Sequence, residues 1–353
     1  MVQKKKILID LGKLKNRYSG LGEICWNFGK TLSEKASPLK AGNIEFYFLV
    51  PSEFKGAFGN DVKYVTLNFF RRHFSFLNTH YDLWYAIHQD SGYMPPPSSK
   101  YLLTVNDLNT LYKSSKSKVE KNRKKIQRRI NRSSYITTIS RFGKEEVVTK
   151  LDTGKIPVEV IYPGVLDPNG TNAIQPGGIP GSFYFHISTI MEKKNVESLV
   201  DMMKLMPHKN LVIAGSWDNP YAKNILERIK KENIRNVITL SKVNENEKAW
   251  LYKNCEAFFF PSFLEGFGMP VIEAMYCGKP VFCSTYTSLP EVGSDKAFYW
   301  EKFEPGYMKE VVESNMERIK GDENFSQQLR SYASQFTWQK SVDRFIGLFK
   351  ELL

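Results

Sequence analysis

Eleven short apolar segments, most of them separated by helix-like patterns, run along almost the whole of this 353-residue chain. Such alternation of strand and helix favours parallel β-sheets that are covered by helices on both faces. The first six predicted strands cover residues 4–10, 44–50, 82–88, 100–105, 134–140 and 158–164. The other five cover residues 182–188, 210–215, 236–240, 256–262 and 279–284.

A stretch dense in glycine, proline and asparagine, residues 166–182, separates the two series of strands. Such a composition is typical of a connection between domains rather than of a helix or strand. We therefore predict two doubly wound α/β domains that face each other across a cleft, residues 1–168 and residues 169–337. The amphipathic segment 338–353 is predicted to be a helix that packs back on the first domain.

The stretch SFLEGFGMPVIEAMYCGKPVFCS, residues 262–284, begins where a predicted strand is followed by a helix. Pro270 suits the first turn of that helix, because its missing N–H would have no helical partner there. The N–H groups of Phe267, Gly268 and Met269 are then expected at the positive end of the helix dipole. The stretch therefore predicts a site for an anion or a hydroxyl group at the carboxyl end of a strand.

Two glutamates, eight positions apart, flank these N–H groups. Glu273 is predicted in the first turn of the helix, where its carboxylate can accept both hydroxyls of a ribose. Glu265 lies in the loop and can accept hydroxyls of a second sugar. A simpler alternative for Glu273 alone is that it complements the helix dipole. The two acids and the glycine-containing turn together favour a binding site.

The segment EGFGMPVIE, with FPS before it and EAMYCGKPV after it, resembles the E-x7-E motif of retaining GT-B glycosyltransferases, especially glycosyltransferase family 4. The resemblance implies that Glu265 contacts the donor sugar and Glu273 the nucleotide ribose. It also implies transfer of a hexose-type sugar from a UDP-, GDP- or ADP-sugar to a glycan or glycolipid acceptor. Polysaccharide, O-antigen or lipopolysaccharide synthesis would use such a reaction.

A second segment, HISTIMEKKNVESLV at residues 186–200, resembles the family's segment after the first strand of the second domain. The resemblance implies that Lys194 binds the pyrophosphate, and a compact ammonium suits phosphate. Members of the family often carry an arginine a few residues earlier, where this chain has Ser188 and Thr189. Either Lys193 or Arg141 could supply the missing charge.

Two further segments complete the donor site that the resemblance implies. Lys242 and Val243 begin a segment that frames the nucleotide base in the family. In the first domain, Gly20, Leu21 and Gly22 match the family's glycine loop, which leads into a helix close to the donor phosphate and the acceptor. Glycines after a first strand are common in α/β folds, so the second domain carries the stronger match.

Two residues of the first domain are candidates for the chemistry. His88 is predicted at the carboxyl end of a strand, where the family has a histidine that lines the donor-sugar pocket; a structural histidine is the alternative. Many relatives have His-Asp where this chain has Asn106 and Asp107. An amide cannot take a proton, so either Asp107 or the leaving phosphate must accept it.

No metal ion and no cofactor other than the donor are predicted, because the chain contains no Asp-x-Asp sequence that could supply a carboxylate pair. Lys194 and the helix terminus would then neutralise the charge that grows on the leaving phosphate. No residue stands out as a covalent nucleophile. Same-face attack, in which the donor phosphate takes the proton of the acceptor, is therefore the favoured route to retention.

Net charge is +13, and much of the excess lies in residues 113–132, which hold ten Lys or Arg against one acid. Val119, Ile126 and Ile130 share one stripe of this segment, which predicts a basic amphipathic helix. It could be a solvated helix face or could bind an anionic membrane surface, which would suit a lipid-linked acceptor. Nucleic acid is not predicted as a partner, because no nucleic-acid-binding motif accompanies the charge.

Cysteine usage and hydropathy bear on localisation. The four cysteines lie in apolar segments without metal-ligand spacing, which favours buried thiols in a reducing cytoplasm. With no apolar run of about 18 residues, we predict a cytoplasmic protein, with binding to the inner face of the membrane left open.

Two other functions compete with sugar transfer. One is an NAD-dependent Rossmann enzyme, although the first loop lacks the G-x-G-x-x-G that such an enzyme uses to bind the dinucleotide. The other is a non-catalytic protein that binds anionic lipid or nucleotide. That function would account for the positive charge but not for the two glutamates and the turn between them.

Overall fold

A computed structural model describes residues 4–353 apart from residues 18, 70, 71, 73, 75–78, 113, 114 and 180. The chain divides into two compact units. Unit 1 comprises Met1–Gly164 and Phe336–Leu353, and unit 2 comprises Val165–Gln335.

Each unit contains a parallel sheet. The strands of unit 1 are β1 Lys5–Asp10, β2 Ile44–Val50, β3 Lys63–Thr66, β4 Leu83–Ala86, β5 Lys100–Val105, β6 Tyr135–Thr138 and β7 Val158–Val160. Those of unit 2 are β8 Tyr184–Thr189, β9 Leu211–Ser216, β10 Val237–Ser241, β11 Phe258–Phe260, β12 Val281–Ser284 and β13 Phe298–Trp300. The spatial orders are β3-β2-β1-β4-β5-β6-β7 and β10-β9-β8-β11-β12-β13.

Helices connect these strands, as doubly wound sheets require. In chain order the first six are α1 Gly20–Glu34, α2 Ala36–Ala41, α3 Lys116–Arg132, α4 Arg141–Lys150, α5 Val196–Lys204 and α6 Pro220–Lys231. Further along are α7 Glu245–Asn254, α8 Met269–Tyr276, α9 Leu289–Gly293, α10 Pro305–Arg318, α11 Glu323–Ala333 and α12 Trp338–Leu352. The prediction of two doubly wound α/β domains is confirmed.

Two strands, β3 and β13, escaped prediction from the sequence, and both lie at the edge of their sheet. They are short, at four and three residues, and only partly buried. Interior strands of parallel sheets are buried on both faces and form conspicuous apolar runs, as in IEFYFLV of β2. The strands β3 and β13 are too short and too exposed to give that signal, so their sequences were not distinguished from loops.

The C-terminal helix α12 packs on unit 1. Its Phe345 ring lies 5.3 Å from that of Phe28 and 4.9 Å from that of Tyr85, measured between centroids. At its start, Gly164 leaves room for the chain, because a Cβ at Gly164 would lie 2.3 Å from the backbone nitrogen of Trp338. Unit 1 is therefore built from both ends of the sequence.

The predicted connection 166–182 is attached to unit 2. The side chain of Asn169 donates to the carbonyl of Tyr276 over 2.8 Å, and Lys253 Nζ donates to the carbonyl of Thr171 over 3.0 Å. A short 3-10 helix, Pro168–Gly170, lies within it. Contacts with α7 and the end of α8 thus hold a stretch whose composition had suggested only irregular structure.

The four cysteines are all free and buried, as predicted. Burial raises the pKa of the Cys255 and Cys277 thiols to about 12, so both stay protonated. Within the described part of the chain, no helix combines the length and the apolar character that crossing a bilayer requires.

Candidate active site

Lys194 lies between β8 and α5, at the carboxyl edge of the second sheet. It ends a 3-10 helix, Glu192–Lys194, and Asn195 then takes a left-handed conformation with φ 51° before α5 begins. The Lys194 ammonium forms an ion pair with Glu265 and lies 5.0 Å from the centroid of the Phe260 ring. Only 13% of the Lys194 side chain and 12% of the Glu265 side chain are exposed. Two of the predicted site residues are therefore in direct contact.

The loop after β11 is fastened to the 3-10 helix that carries Lys194. Ser262 Oγ donates to the carbonyl of Lys193 over 3.0 Å, and the N–H of Phe263 donates to the same carbonyl over 2.7 Å. Two neighbouring strands, β8 and β11, thus hold Lys193 and Glu265 at one sheet edge. In the structure Lys193 contributes its backbone to this arrangement.

The loop after β12 supports Glu265 from the other side. The Glu265 N–H donates to Thr287 Oγ1 over 3.1 Å, and Ser288 Oγ donates to the carbonyl of Phe267 over 2.9 Å. Thr287 itself has φ 55°, a left-handed conformation that a β-branched residue rarely adopts. Such strained positions concentrate at binding sites, where the surrounding structure holds them.

Gly268 caps the N-terminus of α8 with φ 109°. A Cβ there would also come within 2.8 Å of the Leu289 side chain, so the turn requires glycine. As predicted, α8 begins at Met269 with Pro270 in its first turn. The first N–H groups of a helix have no partner inside it, and the helix dipole adds positive potential there. The start of α8 can therefore hold an anion near Glu265.

Glu273 lies deeper in α8 than predicted. It is the fifth residue of the helix, in the second turn, so the prediction of a first-turn position was wrong. Tyr252 Oη donates to Glu273 Oε2 over 2.7 Å, and Lys248 Nζ lies 3.2 Å from Oε1. Burial alone would lower the pKa of Lys248, yet Glu273 and Glu245 hold that pKa above its ordinary value. Glu273 is therefore held in a fixed orientation by α7.

Sequence reasoning missed Lys248 and Tyr252. They are four positions apart on α7, so they share one face of that helix. Burial, reinforced by Glu273, raises the pKa of Tyr252 well above its ordinary value, so its hydroxyl stays a donor. The four-residue spacing was the available signal, but it did not reveal a partner carboxylate 21 residues further along the chain.

Thr189, Lys242 and Val243 lie at the same sheet edge. Thr189 ends β8 and is exposed, while Lys242 and Val243 lie between β10 and α7. Lys242 has φ 57°, and the Asn244 side chain after it caps α7. Thr189 therefore lies at the end of β8, and Lys242 and Val243 follow the end of β10.

His186, which no prediction singled out, is buried beneath this edge. Its Nδ1–H donates to the carbonyl of Phe259 over 2.8 Å, and its Nε2 lies 2.8 Å from Ser188 Oγ. Burial, with a smaller contribution from Lys194, lowers the pKa of His186 to about 4. A neutral imidazole with both nitrogens satisfied ties β8 to β11 under the ion pair.

In unit 1, Gly20, Leu21 and Gly22 form the first turn of α1, not a loop before it. Ser19 caps this helix by accepting the N–H of Gly22 over 3.1 Å. A Cβ at Gly22 would lie 2.1 Å from the carbonyl oxygen of Asn16, so packing alone requires glycine there.

His88 lies two residues beyond the end of β4 and is buried. Its Nδ1 accepts the N–H of Asp90 over 2.8 Å, so the ring proton of the neutral form is on Nε2. Burial, with a smaller contribution from Lys13, lowers the pKa of His88 to about 3. The imidazole is thus a neutral group with one N–H that is not committed to Asp90.

Asn106 and Asp107 bind the backbone around the ends of β4 and β5. The Asn106 amide donates to the carbonyl of Ile87 over 2.7 Å, and Asp107 Oδ1 accepts the N–H of Asn109 over 2.9 Å. Gln89 bridges both residues through their backbone groups at 3.0 and 2.6 Å. The amide at position 106 thus has a structural function in this chain.

A buried polar network in unit 1 was missed. Arg129, which by sequence belongs to the basic helix, is only 6% exposed. It donates to the carbonyl of Tyr93 and the hydroxyl of Tyr101 over 3.2 and 3.1 Å, and to the carbonyl of Ser91. Ser91 Oγ donates in turn to Asp10, whose pKa is raised by burial. Arg129 therefore connects α3 to the segment that follows His88.

The rest of α3 presents its basic residues to solvent. Ile126 and Ile130 are buried as predicted, and Val119 is partly buried. The exposed basic side chains are Lys116, Lys118, Lys121, Arg123, Lys124, Lys125 and Arg128. Positions 113 and 114 of the predicted helix lie outside the described residues.

Known proteins resemble this chain in sequence and in fold. Residues 180–336 match the family of glycosyl transferases group 1. Over 286 residues the chain is 24% identical to O-antigen chain mannosyltransferase B of Escherichia coli, with 76% of this chain and 74% of that protein covered. It is 27% identical over 195 residues to the serotype-specific mannosyltransferase WbdA of Escherichia coli, but spans only 22% of that longer protein.

Among solved structures, Anabaena HepE in complex with UDP and glucose has a TM-score of 0.73 at 17% identity, with 98% of this chain and 100% of that one covered. The family match lies over unit 2, where the Lys194–Glu265 pair and the start of α8 are found. Together, these similarities identify the chain as a glycosyltransferase with the GT-B fold, as predicted.

Proposed function

We propose that this enzyme transfers a mannosyl residue from a nucleotide sugar to a growing glycan in polysaccharide or O-antigen synthesis, with retention at the anomeric carbon. The observation that carries the proposal is the contact between Lys194 and Glu265 beside the N-terminus of α8. The similarity to O-antigen mannosyltransferases supports mannose as the sugar. The similarity to HepE, whose structure is a complex with UDP and glucose, supports a nucleotide-sugar donor.

Lys194 and the N–H groups near Gly268 and Met269 bind the donor pyrophosphate in this proposal. The transition state places growing negative charge on the leaving phosphate, so a fixed ammonium and a helix terminus stabilise it more than they stabilise the substrate. Thr189 and Lys193, at the same edge, contribute further contacts. These groups serve where other transferases use a metal ion, so activity should persist in a chelator such as EDTA.

Glu265 and Glu273 hold the two sugars of the donor. Glu265 accepts hydroxyls of the transferred sugar and exchanges its contact with Lys194 for one with substrate. Glu273, already fixed by Tyr252 and Lys248, accepts the ribose hydroxyls. Lys242 and Val243 lie against the base.

Unit 1 contributes to acceptor binding in this proposal. The Nε2–H of His88 donates to a sugar hydroxyl, and the segment around Gly20, Leu21 and Gly22 binds the acceptor. The acceptor hydroxyl attacks on the face that the phosphate leaves, and a phosphate oxygen takes its proton. Asp107 is the second candidate for this proton, because this residue is only partly buried.

The exposed face of α3 binds an anionic membrane in this proposal, which places the enzyme at the inner face of the membrane beside a lipid-linked acceptor. Each basic residue near such a surface contributes about 1 kcal/mol. Charge reversal at Lys121, Lys124 and Arg128 should abolish sedimentation with phosphatidylglycerol vesicles and leave the far-UV spectrum unchanged. Equal sedimentation with neutral phosphatidylcholine vesicles would contradict the proposal.

A donor screen tests the proposed function directly. The full chain is incubated with UDP-, GDP- and ADP-sugars, including GDP-mannose, with and without membrane lipid extract, and nucleotide release is measured. We expect one mannose donor to be consumed, with release that depends on Lys194. Consumption of non-mannose donors only would refute mannose transfer, and release that is unchanged in Lys194→Ala would refute the site.

A further inference from the structure

Three aromatic residues converge at the carboxyl edge of the second sheet, outside the donor site described above. Phe263, Tyr286 and Phe303 follow the ends of three neighbouring strands, β11, β12 and β13, by two or three residues. The centroid of the Phe263 ring lies 5.5 Å from that of Tyr286 and 5.2 Å from that of Phe303, edge-on in both cases. We call these residues the aromatic cluster.

Tyr286 is the most exposed member of the cluster, with 45% of its surface accessible. Its ring is nearly parallel to that of Phe303, at 20° and 6.1 Å between centroids, and Phe303 rests on the core of unit 2. Single apolar side chains on a surface need no explanation, but a supported and partly open group of three rings is an unusual surface feature.

The aromatic cluster is continuous with the candidate active site. The N–H of Phe263 donates to the carbonyl of Lys193 over 2.7 Å. Thr287, which directly follows Tyr286, accepts the N–H of Glu265 over 3.1 Å and has the strained φ of 55°. The loops that orient the ion pair therefore also orient the aromatic rings.

The order of the strands in the second sheet determines on which side of Lys194 and Glu265 the aromatic cluster lies. Lys242 and Val243 follow β10, Lys194 follows β8 and Glu265 follows β11, while the aromatic cluster follows β11 to β13. A donor with its base at β10 and its pyrophosphate at β8 has its sugar toward β11. The aromatic cluster then lies on the far side of that sugar from the nucleotide.

We propose that the aromatic cluster is a subsite for a pyranose ring of the glycan acceptor, next to the transferred sugar. The inference rests on the proposed function for its choice of ligand. A pyranose has one face made mainly of C–H groups, which an aromatic ring covers well, and hydroxyls at its rim. Binding sites combine such apolar surfaces with a few polar groups, and here Tyr286 carries a hydroxyl and Thr287, with a second hydroxyl, follows it in sequence.

Saturation-transfer NMR and equilibrium titration of the full chain with α-linked mannose oligosaccharides of one to four units test the subsite. We expect Tyr286→Ala to weaken binding of the longer oligosaccharides about tenfold, and Tyr286→Trp to retain it, because tryptophan keeps the flat surface. Tyr112→Ala is the matched control, since Tyr112 in unit 1 is also 45% exposed. Donor consumption without acceptor should be the same in the wild type and in these three variants.

Equal affinities of the wild type and Tyr286→Ala would overturn the proposal, and so would a wild type that binds none of the oligosaccharides. Loss of phosphatidylglycerol vesicle binding in Tyr286→Ala, with oligosaccharide binding unchanged, would assign the cluster to lipid instead. Failure of the proposed function gives a different result: no mannose donor is consumed, while oligosaccharide binding still depends on Tyr286.

Discussion

The carboxyl edges of the two sheets use their charged side chains in different ways. In unit 2, Lys194 and Glu265 meet from two loops whose sequences are compact motifs. In unit 1, Arg129 and Asp10 are buried and joined through Ser91, so that their charges are used within the protein. One edge pairs two opposite charges with each other, and these are the charges that the proposed function assigns to the donor, whereas the other edge uses its charges to hold backbone in place.

Two buried histidines, one in each unit, are used differently as well. His186 in unit 2 uses Nδ1 and Nε2 for protein partners, which indicates a structural residue. His88 in unit 1 accepts at Nδ1 and carries its proton on Nε2, which favours a role toward a ligand. Unit 2 therefore combines an ion pair with a structural histidine. Unit 1 combines a structural arginine with a histidine whose Nε2–H is not committed to Asp90.

The largest effect is expected at the ion pair. Lys194→Ala and Glu265→Ala should each lower nucleotide release from the donor about 1,000-fold, because each removes a group that acts on charge in the transition state. Lys204→Ala is the control, since Lys204 also pairs with carboxylates of unit 2, Asp201 and Glu232. Activity within a few-fold of the wild type in Lys194→Ala would show that the ion pair is merely structural.

The buried network should govern stability instead. Arg129→Ala leaves Asp10 and the carbonyls of Ser91 and Tyr93 without their cation, which we expect to cost about 3 kcal/mol and to lower the Tm by roughly 6–12 °C. Arg128→Ala, at the neighbouring exposed position, should shift the Tm by about 2 °C or less. Equal shifts in the two variants, measured by calorimetry, would contradict the division between buried and exposed cations on α3.

A smaller effect, on nucleotide affinity, is expected for Glu273 but not for its neighbour Glu245. Glu273→Gln should raise the Kd for nucleoside diphosphate about tenfold, because a neutral amide accepts fewer strong hydrogen bonds from ribose. Glu245→Gln removes the other carboxylate on Lys248, 3.0 Å away, and should leave that Kd unchanged. Identical affinities for both variants in isothermal titration would mean that Glu273 only neutralises Lys248.

An effect of similar size for each group concerns pH. Burial lowers the pKa of His88 to about 3 and that of His186 to about 4, so the folded protein keeps both neutral while the unfolded chain binds protons below about pH 6.5. Their stabilising contribution is complete above that pH and declines as the pH falls. At pH 5.5 each histidine should cost about 1.4 kcal/mol relative to pH 7.5.

Replacing either histidine by asparagine should remove about 1.4 kcal/mol of that pH dependence, as measured by denaturant titration at the two pH values. Only His88→Asn should also reduce donor consumption, since only His88 has an N–H for substrate. Loss of activity of the same size in His186→Asn, at unchanged stability, would contradict the assignment.

The distance along the chain decides which parts of the molecule the sequence could predict. Lys194, Glu265 and the start of α8 lie within short motifs, so their types and spacing sufficed. The partners of Glu273 are 21 and 25 residues away, and those of Ser91 are 38 and 81 residues away. Such contacts depend on which strands become neighbours in the sheet. The local sequence around a residue does not specify this.

The same reasoning applies to the fold. Interior strands such as β2 and β11 were found because burial on both faces makes them apolar throughout. The edge strands β3 and β13 were missed because water reaches them. Gly22 and Gly268 look alike in sequence, but packing against Asn16 explains the first and a left-handed turn the second.

The placement of α12 has a consequence for biosynthesis. During translation, unit 2 has all of its residues once Gln335 has been added, whereas unit 1 still lacks the helix whose Phe345 covers Phe28 and Tyr85. N-terminal domains usually finish folding first on the ribosome, and here the order is inverted. One aromatic face of the nascent protein stays uncovered while the whole of Val165–Gln335 is made, and that interval is when a chaperone would be needed most.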